Sequence, residues 1–505
     1  MQVTRAEAVV GRFGPTIALT VALAVFSWRV RSPSPWWDEA VTRYAVGLSL
    51  PDLADMISRV DLVHALYYLA GHILYLLLGR PDDSNQIYLA LRLLSVLASS
   101  FTALILFRLG RNLGGPAVAV LAVAFYVISP FALRYAQEAR SYALVSMFAT
   151  LAVLLLVRWT RTGEARLLRL SSASLALATL LNEISALTVL PLAVVCLLAR
   201  PSGFRRWLLS GGVALAVASP LVLFSLGQSG QVSWLYSPTP TMYADFSRYL
   251  WGSATAAGLV TVIAAGLVWR GRTRVAASGP QLTMLVGLSM SLLPSAVLWV
   301  VSQVEPVFVP RYLVFVLPGA CLVAAGLAAC LPRAGAVIMV AALFLTGFSL
   351  QDAYRQPVTG HGEDIRGAAE ALGAQARAGD AVVFLPRDRR VVSMGYPERF
   401  DGVADVALAG RYDSIYGSEV GPDVLTQRLA GRSRVWVVSG KQRLGDTLTA
   451  TDEKKQEILG RGYAPVSVFN TRTYSAVLYV SDEEIAAQGL TALGDEKLDQ
   501  CPYCP

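Results

Sequence analysis

Residues 311–331 read RYLVFVLPGACLVAAGLAACL, and only the first of them is charged. A helix needs about 20 mainly apolar residues to cross the hydrocarbon core of a bilayer. The segment therefore predicts a membrane-spanning helix that begins at Arg311. Comparable apolar runs recur from residue 13 to about residue 350 and then stop, which predicts a membrane-embedded part followed by a soluble part.

The composition of the whole chain agrees with a polytopic α-helical membrane protein. Of its 505 residues, 54% are apolar and 15% are charged, whereas about 25% are charged in a typical soluble domain. Residues 64–79 are apolar, but they contain two histidines and three tyrosines and are too short to cross, so they predict an interfacial half-helix. About eleven spans are predicted, at 13–30, 88–107, 116–131, 141–157, 169–183, 185–199, 207–226, 253–269, 281–302, 311–331 and 334–350.

Arginine-rich loops predict which ends of the spans face the cytoplasm. If residues 64–79 do not cross, five loops lie on the side of the N-terminus, and they contain Arg108 and Arg111, Arg158 to Arg169, Arg200 to Arg206, Arg270 to Arg274, and Arg333. This is the positive-inside pattern. The outer segments are then 31–87, 132–140, the tight turn near Asn182-Glu183, 227–250, 303–310 and 352–505. These topology signals account for the net charge of +8, which therefore does not predict nucleic-acid binding.

The residues after the last span predict a small α/β domain. Strand-like apolar runs lie at 381–385, 434–439 and 474–480. Helical patterns alternate with them, at 363–378, 422–431 and 452–460. Two domains are therefore expected: a transmembrane domain at 1–351 with a large first outer loop at 31–87, and an extracytoplasmic α/β domain at 352–505.

The first outer loop places two carboxylates directly after two tryptophans, in the order Trp36-Trp37-Asp38-Glu39. One interpretation is structural, because tryptophan favours the membrane interface and carboxylates favour the positive N-terminus of a helix. The other is functional: one carboxylate, partly removed from water, acts as general base on an acceptor hydroxyl.

A second polar group follows in the same loop. Asp61, His64 and Tyr68 have the spacing of one helix face, and Tyr67 is adjacent. A single histidine is usually structural, but His64 is accompanied by a carboxylate and two tyrosines. Both a structural and a substrate-binding role stay open for this group.

Residues 134–142 read RYAQEARSY and lie at the outer end of a predicted span. Two arginines on this side oppose the positive-inside trend, so a compensating partner is expected. A phosphate suits Arg140, because guanidinium presents a planar fork to phosphate oxygens. The alternative is an internal arginine–glutamate pair that joins helix ends. Two interpretations are also open for Arg311: its guanidinium contacts the phosphate of a bilayer lipid, or it contacts the phosphate of a carrier.

Together these motifs resemble the bacterial branch of the protein O-mannosyltransferase-like family, within the GT-C superfamily of membrane glycosyltransferases. The resemblance runs from residue 13 to about residue 350, and its most specific element is Gln137-Glu-Ala-Arg-Ser-Tyr142. The family's more common His-Pro-Pro-Leu-Tyr-Tyr corresponds here to His64-Ala-Leu-Tyr67-Tyr68, which is one residue shorter and lacks both prolines. The other matching elements are Trp37-Asp38-Glu39, Asp61, His64-Ala-Leu-Tyr67-Tyr68, Arg92-Leu-Leu-Ser and Pro310-Arg-Tyr-Leu.

The resemblance implies inverting transfer of a sugar from a polyprenyl-phospho-sugar donor, with Asp38 as the base and Glu39 as its neighbour. Arginines are expected to stabilise the departing phosphate, so no cofactor is required. Asp38, Glu39 and His64 are also compatible with a bound divalent cation. The residues expected to contact substrate are Asp61, His64, Tyr67, Tyr68, Gln137, Glu138, Arg140, Tyr142, Trp234, Arg311 and Tyr312.

The expected reaction takes place on the outer face of the plasma (inner) membrane. The sugar is expected to be mannose or arabinose, and the acceptor a glycan, lipid or protein of the cell envelope. A transporter or flippase of lipid-linked sugars is the alternative, since it also needs many spans and a carrier-binding groove. Many transporters show paired halves and polar residues at mid-membrane depth, but this sequence has no evident repeat and its unusual polar residues lie in outer loops.

Single cysteines in a variant that lacks the five native cysteines test this topology. Ser414→Cys should react with an impermeant thiol reagent in intact cells, because Ser414 lies in the predicted outer domain. Thr273→Cys lies in an arginine-rich loop and should react only after the membrane is permeabilised. Labelling of Thr273→Cys in intact cells would reverse the predicted orientation.

Overall fold

The computed structural model describes residues 5–228, 235–271, 279–412, 414–441 and 450–494. The chain divides into two compact units. The first comprises Met1–Val30, Leu62–Tyr67 and Leu91–Tyr354, and the second comprises Arg31–Asp61, Tyr68–Ala90 and Arg355–Pro505. Two segments of the predicted first outer loop therefore share a unit with the C-terminal residues. The predicted domain boundary at 351/352 stays a prediction.

Helices dominate the chain up to residue 354. In chain order they are α1 (Arg5–Ser27), α2 (Trp37–Gly47), α3 (Leu50–Arg59), α4 (Ala65–Leu77), α5 (Ser84–Gly114), α6 (Pro116–Val127), α7 (Pro130–Ala136), α8 (Tyr142–Thr162), α9 (Ala165–Leu181), α10 (Val189–Ala199), α11 (Phe204–Leu226), α12 (Pro240–Trp251), α13 (Ala254–Arg270), α14 (Pro280–Val301), α15 (Leu317–Ala329) and α16 (Arg333–Tyr354). Short 3-10 turns at Leu62–His64 and Pro310–Val316 precede α4 and α15.

Within the described residues, seven helices are long and apolar enough to cross a membrane, and the number rises to nine if each of two bent pairs is one span. The bent pairs are α6 with α7, at 66°, and α12 with α13, at 89°. The two other predicted spans, 169–183 and 185–199, lie on α9 and α10, which have only 17 and 11 residues. The prediction of a polytopic helical membrane protein is confirmed, with fewer full-length spans than the eleven expected.

Close helix packing in the first unit depends on small residues. A Cβ added to Gly287 of α14 would lie 2.7 Å from the Gly319 carbonyl oxygen of α15. Small residues at such crossings let helix backbones approach closely, which is a common source of association between membrane helices. Nearly the whole of α15 is buried as a result. The 3-10 turn that carries Arg311 and Tyr312 leads directly into this buried helix.

The C-terminal part of the second unit is an α/β fold. Its strands are β1 (Ala381–Leu385), β2 (Ala404–Asp405), β3 (Leu408–Gly410), β4 (Ser418–Glu419), β5 (Arg434–Gly440), β6 (Tyr463–Asn470) and β7 (Tyr474–Ser481). Five of them form a sheet in the order β2-β1-β5-β7-β6, in which β2, β1 and β5 are parallel and β7 runs antiparallel to both of its neighbours, β5 and β6. The helices are α17 (Ile365–Gly373), α18 (Val391–Gly395), α19 (Pro422–Leu429), α20 (Ala450–Gly460) and α21 (Asp482–Gln488).

The predicted strands at 381–385, 434–439 and 474–480 are confirmed as β1, β5 and β7. Val383, Val437 and Val477 are aligned across these three strands and are fully buried in the core. Strand β6 was not predicted. Its residues are only half-buried, so it lacks the continuous apolar run that marked the inner strands.

Polar contacts join the first-loop segments to the C-terminal segment inside the second unit. The Arg366 guanidinium of α17 donates hydrogen bonds to the carbonyl oxygens of Arg31, Ser32 and Pro33, at 3.2–3.3 Å. Gly395 of α18 lies against α2, because a Cβ added there would be 3.1 Å from the Ala40 Cβ. These contacts fix the chain on both sides of the N-terminus of α2.

Candidate active site

The acidic pair lies in the first turn of α2. Trp36 has an extended backbone, with φ −113° and ψ −178°, so the helix begins at Trp37 and the carboxylates of Asp38 and Glu39 lie near its positive end. Successive helical residues point in directions about 100° apart, so the two side chains meet different surroundings. Glu39 is fully buried, whereas Asp38 is only half-buried.

Glu39 pairs with a histidine from the C-terminal segment. The His361 Nδ1 lies 2.7 Å from the Glu39 Oε2, and both side chains are 0% exposed. A carboxylate without contact to water requires such a partner, because isolated buried charge is very costly. Glu39 is therefore held inside the second unit, and Asp38 is the member of the pair that reaches the surface.

Tyr416 lies among three carboxylates. Burial, followed by the negative charges of Asp388, Asp38 and Asp61, raises the pKa of the Tyr416 phenol well above its ordinary value. This residue therefore stays protonated at neutral pH and keeps a hydroxyl hydrogen to donate. Its ring meets the Trp37 ring edge to face, with centroids 5.9 Å apart.

The Trp37 ring also carries a cation on its face. The Arg389 guanidinium lies 5.0 Å from the ring centroid, in cation–π geometry, and its Nε is 3.5 Å from the Asp388 Oδ1. Asp388 and Arg389 follow β1, at the carboxyl end of a parallel strand. The C-terminal segment thus surrounds the start of α2 with charged and aromatic side chains.

Asp61 and Tyr68 also belong to the second unit. The Tyr68 hydroxyl donates a hydrogen bond to the Asp61 carboxylate, and both residues are buried. The predicted single helix face for Asp61, His64 and Tyr68 is wrong, because Asp61 has φ +61° and precedes a 3-10 turn. Asparagine and aspartate adopt this left-handed conformation more readily than most residues, and the turn still brings Asp61 and Tyr68 together.

Sequence reasoning missed several residues of this site, all of them in the C-terminal segment. They are His361, Glu363, Asp388, Arg389, Tyr416 and Tyr474. Burial and then the neighbouring Glu363 carboxylate raise the pKa of Tyr474, which also lies beside Trp37. The available signal was the polar run that follows β1, since the carboxyl ends of parallel strands often carry functional residues.

The first unit contains the second predicted cluster. Ser129 caps α7 by accepting a hydrogen bond from the Ala132 amide, and the helix ends before Gln137. The Gln137 side-chain nitrogen donates to the carbonyl oxygens of Phe26 and Trp28, each at 2.8 Å. Gln137 thus joins this loop to the end of α1, and its predicted contact with substrate stays a prediction.

The same loop carries an ion pair. The Arg134 Nη1 lies 3.4 Å from the Glu138 Oε2, and the Glu138 side chain is buried. The Ser95 hydroxyl donates to the Glu138 carbonyl oxygen at 2.6 Å, which fixes the backbone just before Arg140. The predicted internal arginine–glutamate pair therefore exists, and it involves Arg134.

Arg140 and Arg311 belong to two segments of the first unit whose tyrosines are in contact. Arg140 is buried and precedes Tyr142, whose ring lies 6.5 Å from the Tyr312 ring. The Arg311 guanidinium lies over the Tyr312 ring at 5.4 Å. The two predicted motifs, 134–142 and 310–313, are thus in contact. Together they contain three arginines, Arg134, Arg140 and Arg311, and one carboxylate, Glu138.

The remaining predicted residues have different outcomes. His64 and Tyr67 are buried in the first unit, next to Leu62, whose amide donates to the Gln228 side chain at 2.8 Å. Trp234 lies outside the described residues.

In the part of the chain that the structure describes, no group of three or more His, Cys, Asp or Glu side chains is arranged to hold a metal ion. The divalent cation stays a prediction.

The fold is similar to that of two solved crystal structures. Two crystal structures of ArnT from Cupriavidus metallidurans are similar to this chain, one in the apo state with a TM-score of 0.57 and one bound to undecaprenyl phosphate with a TM-score of 0.56. Their sequence identities are 13% and 12%, and the alignments cover 94% and 93% of this chain and 98% of each ArnT chain. At these identities the similarity concerns the fold.

The family model described as dolichyl-phosphate-mannose-protein mannosyltransferase matches residues 84–227. This segment contains Arg92 and the 134–142 loop, which carried the resemblance in the sequence. The predicted resemblance to this family is thus confirmed for residues 84–227, and the fold is similar to that of ArnT. No curated protein sequence matches the chain.

The buried pair of Glu39 and His361 predicts a measurable coupling. His361→Leu should lower the free energy of unfolding by about 3–5 kcal/mol, because it leaves a buried carboxylate without its imidazole partner. In a cycle with Glu39→Gln, the two substitutions should show a coupling energy of about 0.5–3 kcal/mol in reversible or thermal unfolding.

His72→Leu is the matched control for this measurement. The Nδ1 of the buried His72 lies 3.0 Å from a neutral group, the Val46 carbonyl oxygen. His72→Leu should lower the free energy of unfolding by about 0.5–1.5 kcal/mol and show no coupling to Glu39→Gln. Equal destabilisation by both leucine variants would contradict a special role for the Glu39 pair.

Proposed function

We propose that the protein transfers a sugar, mannose or arabinose, from a polyprenyl-phosphate carrier to a cell-envelope acceptor on the outer face of the plasma membrane, with inversion at the anomeric carbon. The observation that carries the proposal is the unequal burial of the acidic pair. Glu39 is sequestered with His361, while Asp38 is half-buried beside Tyr416 and Trp37. The undecaprenyl phosphate in the similar ArnT structure supports a polyprenyl-linked donor.

Asp38 serves as the general base in this proposal. As the acceptor oxygen forms its bond to the anomeric carbon, Asp38 takes the hydroxyl proton, and the bond from that carbon to the carrier phosphate breaks with its electron pair leaving on the phosphate. Glu39 is less suited to this step, because its carboxylate is 0% exposed and lies 2.7 Å from His361. The neutral Tyr416 hydroxyl serves as a hydrogen-bond donor near the reacting groups.

Arg140 and Arg311 are the proposed partners of the carrier phosphate. The reaction leaves a polyprenyl phosphate anion, so positive groups that are fixed in advance stabilise its developing charge. Arg140 is buried, where a charge-assisted hydrogen bond is stronger than at the surface. Arg311 is held by Tyr312, whose ring contacts the Tyr142 ring of the Arg140 loop.

Purified protein incubated with a set of synthetic polyprenyl-phospho-sugars tests the proposal. Release of polyprenyl phosphate from a mannosyl or arabinosyl donor, in the presence of cell-envelope glycans, lipids or proteins, is the expected result. Movement of an intact lipid-linked sugar across vesicles without cleavage would favour the transporter alternative.

Asp38→Asn should lower the rate of sugar transfer by about 10²–10⁴-fold, because an amide keeps the shape of the side chain but cannot take a proton. Donor binding and thermal stability should stay close to those of the wild type. Asp55→Asn is the matched control in the same loop, since Asp55 is exposed and pairs with Arg59, and it should keep full activity. Loss of transfer in Glu39→Gln with retention in Asp38→Asn would move the base to Glu39.

Arg140→Lys should weaken donor binding by roughly 10- to 100-fold, because lysine keeps the charge but loses the two-pronged hydrogen bonding of guanidinium. Binding is measured with a labelled polyprenyl-phospho-sugar. Arg158→Lys, at the other and exposed end of α8, is the control and should bind the donor normally. Unchanged affinity in Arg140→Lys and in Arg140→Ala would limit Arg140 to a structural role.

A further inference from the structure

A cavity of about 250 Å³ lies within the second unit. Aromatic side chains from both parts of this unit form much of its wall: Tyr44 of α2, Phe384 of β1, Phe400, Tyr412 and Tyr416. The volume suits one ring-sized ligand, and walls that are mainly apolar with a few polar groups are typical of small-molecule sites.

The charged groups of the cavity favour a neutral ligand. Arg390 lines it, but its guanidinium is bound to Asp405 at 2.5 Å and to Glu419 at 3.1 Å. Its third contact is the Tyr416 carbonyl oxygen, also at 2.5 Å. This cation is therefore compensated from within the chain, and it fixes the backbone of Tyr416 at the cavity wall. Arg411, the other lining cation, is exposed.

Hydroxyl groups provide the uncharged polar part of the wall. Tyr412 is buried, and its hydroxyl lies close enough to that of Tyr44 for the pair to interact. The Tyr412 backbone has φ +69°, a conformation that is costly for a bulky residue and is enriched at ligand sites. The fold thus keeps the buried Tyr412 in the cavity wall although its backbone is strained.

Tyr416 connects the cavity to the acidic site. It lines the cavity, its ring contacts Trp37, and its phenol lies within the electrostatic reach of Asp38. A ligand seated in the cavity therefore contacts Tyr416, whose phenol interacts with the charge of the proposed base. An acceptor molecule requires a binding site for its non-reacting part, close to the base that activates its hydroxyl.

We infer that this cavity binds the terminal sugar residue of a glycan acceptor and directs one of its hydroxyls toward Asp38. The inference rests on the proposed function and narrows its acceptor to carbohydrate. A sugar ring has apolar C–H faces that pack on the negative faces of aromatic rings, and hydroxyls that pair with those of Tyr44 and Tyr412. An acyl chain cannot form hydrogen bonds with these hydroxyls, and a volume of about 250 Å³ accommodates about one ring rather than several residues of an extended peptide.

Filling the cavity tests the inference. Octyl glycosides of one to three mannopyranose or arabinofuranose units, and a serine- and threonine-containing peptide, are titrated into the full-length protein by calorimetry. Ile415→Trp introduces an indole at the cavity wall and should weaken glycoside binding by roughly tenfold or more, since ligand and indole compete for the same volume. Val424→Trp adds the same group to an exposed position of α19 and should bind glycosides like the wild type.

Tyr412→Phe is a second variant that removes one hydroxyl without filling the space. It should weaken glycoside binding by about 2- to 10-fold, which corresponds to one lost hydrogen bond. Thermal unfolding shows whether each variant is folded. If Ile415→Trp does not fold, Tyr412→Phe still tests whether the cavity binds the glycosides.

The outcomes separate this inference from the proposed function. Asp38→Asn should bind the glycosides with wild-type affinity although it does not transfer sugar. Glycoside affinity that is unchanged in both Ile415→Trp and Tyr412→Phe, or binding of the peptide alone, would overturn the inference even if the wild type cleaves donor. If no donor is cleaved but the glycosides bind in the cavity, the transferase proposal fails while the carbohydrate site stands.

Discussion

The buried contact between Glu39 and His361 is the constraint on which the second unit depends. Both side chains are removed from water, and they lie 322 positions apart in the sequence. A charge in this environment requires a partner in good geometry, so the start of α2 is bound to the segment before α17. The Arg366 guanidinium strengthens the same connection by binding three backbone carbonyls just upstream of Trp36.

This constraint gives two adjacent carboxylates different chemistry. The helical turn directs Glu39 inward to His361 and leaves Asp38 half-buried beside Tyr416. Arg389 and Tyr416 hold the Trp37 ring from its face and its edge, so the residue before the pair is also fixed. The C-terminal α/β fold therefore contributes to the acidic site itself, in addition to any role of its own.

Local patterns in the sequence were sufficient for most of the long apolar helices and for the inner strands. In the described residues, apolar length located nine of the eleven predicted spans when each bent pair is one span, and continuous apolar runs located β1, β5 and β7, because burial on both faces leaves an unbroken signal. The partners of Asp38 and Glu39 carried no such signal, since they depend on contacts between distant segments. Asp61 illustrates the other limit: its left-handed backbone interrupts the helical spacing on which the predicted polar stripe relied. Gln137 matched a family-like motif, and the structure shows it bound to the carbonyl oxygens of Phe26 and Trp28.

The separation of Glu39 from His361 also has a consequence for biosynthesis. At roughly 5–20 residues per second, a ribosome needs about 15–65 s to add the residues that lie between them. Throughout that interval the N-terminal turn of α2 has already been made, but its histidine partner does not yet exist. The acidic pair must therefore stay hydrated while the intervening helices enter the bilayer, and α2 reaches its final surroundings only after the last span has been synthesised. A nascent chain arrested before residue 361 would carry the membrane helices without a completed acidic site.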